Sequence, residues 1–143
     1  MAKENKDLLD RIYKASNMGM EAAKALIPKV HNEPLREQIE FQEDNYKEMA
    51  SMAKTMMRQD GRLPNDRSSY QKAMLRGAIK MHTLMDSTPG HIAEMMINGT
   101  TMGIIEMTKR LNEQDEADNG ARDLAEKYLQ NEQSNIEELK TYL

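Results

Sequence analysis

Apolar residues return at intervals of three and four along almost the whole of this chain, a period that places them on one face of an α-helix. From Leu8 the steps run through Ile12, Ala15, Gly19, Ala22 and Leu26, with Asp10, Lys14, Asn17, Glu21 and Lys24 on the opposite side. This spacing predicts an amphipathic helix that finishes near Pro28 to Val30. Asn32-Glu33-Pro34 then reads as an N-cap followed by a proline tolerated in a first helical turn. The second helix carries Leu35, Ile39, Gln42, Tyr46, Met49, Ala53 and Met56, and Gly61, Pro64 and Asn65 stop it. Ser68 with Gln71 resembles a capping box for a third helix, with Tyr70, Met74, Gly77, Met81 and Leu84 along one side. Asp86-Ser87-Thr88-Pro89 should break or kink that helix. Thr88 can cap the continuation, whose seam is Ala93, Ile97, Thr100, Ile104, Met107 and Leu111. A last helix presents Ala121, Ala125, Leu129 (with Tyr128), Glu132, Ile136, Leu139 and Leu143.

Long amphipathic segments joined by short polar loops, with no alternating strand-like run, predict an all-α, up-down-up-down four-helix bundle whose third leg is split near Thr88-Pro89. A chain of 143 residues can bury a genuine core, and residues 1–143 read as one domain. The segment after Pro89 is apolar nearly all round and is expected to be the most enclosed element. Its Gly99 and Gly103 would permit a close approach by another backbone.

Several function classes drop out on composition. Without cysteine there is no disulfide, thiolate nucleophile or cysteine-ligated metal. A net charge of −4 with no Lys/Arg cluster disfavours nucleic acid. No stretch approaches the ~20 apolar residues of a membrane span. The N-terminus is charged from its third residue and lacks the apolar centre of a signal peptide, so a cytoplasmic location is expected. No Ser-His-Asp motif, phosphate-cradling glycine loop or paired zinc motif occurs. Fourteen Met and one Phe leave a core filled largely by thioethers, Leu, Ile and Ala. Methionines left exposed would instead indicate a partner helix or a homodimer.

A helical bundle can build a metal site from inward carboxylates and Glu-x-x-His pairs, because residues three apart share a helix face. Here the corresponding spacings are Glu43-x-x-Tyr46 and Glu132-x-x-Asn135, each without the histidine. Glu94 and Glu106, with His91 one turn before Glu94, are available on the fourth segment, and His82 and His91 flank the break and could converge across it. The metal candidates are therefore Glu43, His82, His91, Glu94 and Glu132, while His31 reads as a loop residue. Glu132 departs most from an ordinary solvated carboxylate, since it falls inside an apolar stripe. Buried there, it must be neutral, meet a donor such as Gln42, Tyr46, His82 or Asn135, or hold a cation.

Gly19-Met20-Glu21-Ala22-Ala23, Pro34-Leu35-Arg36-Glu37-Gln38 and the late Glu132 together resemble the ferritin-like superfamily, and within it the small bacterial four-helix proteins classed as domains of unknown function. The resemblance implies a four-helix fold and descent from di-metal carboxylate proteins. It does not carry catalysis across, because Tyr46 and Asn135 stand where metal-binding histidines would be expected. The expected function is a non-enzymatic binding or structural module with a degenerate metal site and no cofactor, acting through self-association or a protein partner. One alternative is a divergent di-metal oxidoreductase or metal-storage protein using iron or manganese. Another is a carrier of a small apolar ligand.

Overall fold

The computed structural model describes residues 3–64, 69–113 and 117–143. All regular structure among them is helical: α1 (Lys3–Leu26), a single 3-10 turn (Ile27–Lys29), α2 (Glu33–Gln59), α3 (Ser69–Met85), α4 (Pro89–Glu113) and α5 (Asn119–Lys140). None of these helices is long and apolar enough to cross a membrane.

The local signals act as their chemistry requires. The Asn32 side chain accepts a hydrogen bond from the backbone N–H of Leu35 at 3.0 Å and so caps α2. Asp118 does the same for Ala121 at 2.9 Å at the start of α5. Gly61, with φ of 73°, leaves α2 in the left-handed region that a side chain would resist. The capping box expected at Ser68 and the seam position Tyr70 lie outside the residues whose side chains are described. Replacing Asn32 with Ala should destabilise the protein by about 1 kcal/mol, since one orphan N–H of α2 loses its acceptor; chemical denaturation measures this directly.

The third leg expected from the sequence is in fact two helices. On one continuous helix His82 and His91 would stand about 13 Å apart along the axis, yet their ring centroids are 6.4 Å apart. The chain therefore turns back at Asp86 to Thr88. There the Asp86 carboxylate accepts the Thr88 N–H at 2.9 Å and the Thr88 carbonyl accepts the N–H of Ile92 at 3.0 Å. Helix α1 is central: it packs on α2, α3, α4 and α5, while α4 pairs with α5.

Side-chain burial corrects the expectations for α3 and α4. On α3 the residues facing inward are Ile79 and Thr83, whereas Met74, Met81 and Leu84 are 59%, 68% and 74% exposed. Helix α3 has apolar residues on both sides, and packing against α1 selects the Leu75–Ile79 side. Helix α4 is not the most enclosed element either: Met102 and Ile105 face solvent. Helix α2, by contrast, buries Leu35, Ile39, Gln42, Tyr46, Met49 and Ala53 as its spacing predicts, with Met57 in place of Met56.

The core falls into two apolar clusters at opposite ends. One gathers Leu8, Leu9, Ile12, Met49, Met57, Met107 and Leu124, the other Leu26, Leu35, Ile39, Ile79, Ile92 and Leu139. This distribution makes α1 and α2 antiparallel, and likewise α4 and α5. Between the clusters lies a buried polar layer, with Ser16 from α1, Gln42 from α2, Thr100 from α4 and Glu132 and Asn135 from α5.

Candidate functional site

Glu132 occupies the middle of that layer and is only 2% exposed. Helical spacing places it there: Tyr128 and Leu139 lie one and two turns away on the same face of α5, so the helix buries its apolar stripe and takes the carboxylate with it. Its Oε1 accepts the Tyr46 hydroxyl at 2.6 Å and the Asn135 amide Nδ2 at 3.2 Å. The Tyr128 hydroxyl also hydrogen-bonds to the carboxylate. Among the described residues no cation forms an ion pair with it; the nearby Arg11 guanidinium is held by Glu106.

These surroundings act on proton affinity in opposite directions. Burial raises the Glu132 pKa and outweighs the three donors that lower it, leaving it at about 7. Burial also pushes the Tyr46 hydroxyl well above the ordinary tyrosine range, reinforced by the neighbouring Glu132 charge. Tyr128 is raised for the same two reasons. Both phenols thus remain donors at neutral pH while the carboxyl exchanges its proton there.

A cleft of about 740 Å³ opens onto this group. Helices α1, α3 and α4 wall it, and Tyr46, Tyr128 and Glu132 form its floor. The α1 residues Ala15, Gly19 and Ala22, on the apolar face expected from the sequence, are half-buried and line the cleft. Leu75, Ile79, Met95 and Met96 give it an apolar wall, while Arg11, Lys14 and His82 supply polar groups. Glycines keep the floor open. A Cβ on Gly103 would lie 3.4 Å from the Tyr128 hydroxyl and 3.9 Å from Glu132 Oε2, and one on Gly99 would meet nothing within 4 Å.

The metal candidates are distributed as follows. Glu132 is at the centre of the bundle, Glu43 is half-buried on α2, and Glu94 is exposed on α4. His82 and His91 do approach one another, as expected from their position on either side of the break. Among the described residues no group of three or more His, Asp or Glu side chains comes together in a way that could hold a metal ion. Of the four donors anticipated for Glu132, Tyr46 and Asn135 bond to it, whereas both amide atoms of the fully buried Gln42, like Ser16 Oγ, have no hydrogen-bond partner among the described residues. Tyr128, four residues before Glu132, was legible as a neighbour on the same helix face but did not figure among those donors.

Fold and site together define an all-helical protein with a polar-floored cleft built around one buried carboxylate. The chain matches no protein-family model, and no curated protein or solved structure is detectably similar to it.

Proposed function

We propose that this protein is a non-enzymatic binding module that carries a small, largely apolar molecule with a polar head, held in the cleft between α1, α3 and α4. The observation behind this reading is the cleft itself: about 740 Å³, apolar along its walls, and ending on a convergent set of polar groups around Glu132. Small-molecule sites commonly combine that volume, that lining and a few placed polar groups. Bundle interiors are a frequent setting for them.

The ferritin-like relationship belongs to the same proposal. A degenerate di-metal site would keep one inward carboxylate and replace its metal ligands by neutral groups able to hydrogen-bond to it. Tyr46 and Asn135, which the resemblance sets where histidines would be expected, both donate to Glu132. The di-metal alternative needs Glu43, Glu94 and Glu132 to share ions with His82 or His91, and no such convergence supports it among the described residues.

Filling the cleft tests the carrier reading. Ala78 lines it and is otherwise exposed, so Ala78→Trp places an indole in the ligand's volume without removing core contacts. Wild-type protein should bind the fluorescent apolar probe N-phenylnaphthylamine saturably, and Ala78→Trp should weaken that binding by about tenfold or more, a change of ~1.4 kcal/mol. Equal binding by the two proteins, or no saturable binding by wild type, would remove the proposal.

A further inference from the structure

A carboxylate offers about four acceptor positions, and the protein supplies Glu132 with three donors, all neutral: Tyr46, Tyr128 and Asn135. Its second oxygen looks toward Gly103, where the absent side chain leaves the approach open from the cleft. Neutral donors satisfy hydrogen bonding, yet they leave the net charge of a buried carboxylate uncompensated, which is unfavourable away from water. Arg11, the neighbouring guanidinium, is engaged by Glu106. A single carboxylate without further carboxylate or imidazole ligands is a poor metal site, since metal ions take four or more ligands.

We propose that the cleft takes an aliphatic amine in its ammonium form, with the charged head on Glu132 between Tyr46 and Tyr128 and the apolar chain along Leu75, Ile79 and Met95. The identification rests on the carrier reading and adds the chemistry of the head group. An ammonium supplies both things the site lacks, a donor for the remaining acceptor position and a compensating positive charge. An alcohol would supply the donor but not the charge. A carboxylate ligand would place a second negative charge beside the first.

Calorimetric titration with octylamine, octanol and octanoate below their micellar concentrations separates these heads at constant chain length. Wild-type protein should prefer octylamine to octanol by about tenfold to a hundredfold, the worth of a charge-assisted hydrogen bond. Octanoate should bind most weakly. Glu132→Gln, which preserves shape, should abolish the preference, because the ammonium then loses its counter-charge.

Wild type alone provides a second readout. The amine stays charged on both sides of neutrality, so its affinity should fall as the pH drops below about 7 and Glu132 takes up its proton. The other titratable or charged groups toward this position are Tyr46 from α2, Tyr128 from α5, Arg11 with its partner Glu106, Lys14 of α1, and His82 at the α3 side of the cleft. His82 supplies an imidazole to the cleft, and His82→Gln should leave the dependence in place. Octanol or octanoate binding as tightly as octylamine would overturn the amine assignment and leave the carrier reading standing, as would retention of the preference in Glu132→Gln. Failure of all three to bind would overturn both.

Discussion

Between about pH 4.5 and about pH 7, wild-type protein should lose about 3 kcal/mol of stability relative to Glu132→Gln. The carboxyl is raised from an ordinary value of 4.5 to about 7 in the folded protein. Each unit is worth about 1.36 kcal/mol, so the rise corresponds to about 3 kcal/mol. The sign follows from proton binding. In this window the folded state holds a proton that the unfolded state has released, so unfolding becomes more favourable as the pH rises. The advantage of the protonated form is fully present below about pH 4.5 and is lost as the pH passes through about 7. Other carboxylates titrate at the acid end, and the comparison with Glu132→Gln subtracts them because the variant keeps them all. Denaturant unfolding at a series of pH values measures the difference, and parallel curves for the two proteins would show that Glu132 does not titrate in this way.

Alanine at two cleft glycines should act with opposite signs. At Gly19 an added Cβ would come within 2.7 to 2.8 Å of three ring atoms of Tyr46. That ring is poorly able to retreat, because it is buried and its hydroxyl is held by Glu132 at 2.6 Å. Gly19→Ala should therefore destabilise the protein by about 1–3 kcal/mol, the usual range for overpacking. It should also raise the Glu132 pKa further by pulling away its shortest hydrogen bond. Gly99 sits in the interior of α4, where a Cβ would meet nothing within 4 Å. There alanine should stabilise by about 0.5–1 kcal/mol, through the lower conformational freedom it gives the unfolded chain. Thermal and denaturant unfolding of the two variants checks both signs, and a destabilised Gly99→Ala would mean that the cleft is closed at that point.

Helix boundaries and caps could be read directly, because they depend on neighbours within a few residues. Asn32 before Pro34, Thr88 before Pro89 and Gly61 after α2 act in the structure as their local chemistry requires. The inward face of α2 was legible for the same reason: its apolar residues occupy one side only. Helix α3 shows where this stops. With Leu75 and Ile79 on one side and Met74, Met81 and Leu84 on another, periodicity offers two faces, and the expectation took the one that the structure leaves exposed. The break at Asp86 to Thr88 was equally visible, but whether it kinks a leg or reverses it depends on which neighbour each half meets.

The same division runs through the site. Period, capping and composition by themselves determined that the chain is helical, that Glu132 falls in a buried stripe, and that Asn135 lies one turn away on the same face. Tertiary structure alone decided that Tyr46, 86 residues distant in sequence, donates to Glu132, and that α3 packs so as to leave a cleft over it. The physical reason is range: hydrogen bonds and rotamers within a helix are set by residues three and four apart. The pairing of helix faces is settled by packing among side chains far apart in the chain, where several apolar faces compete for the same core.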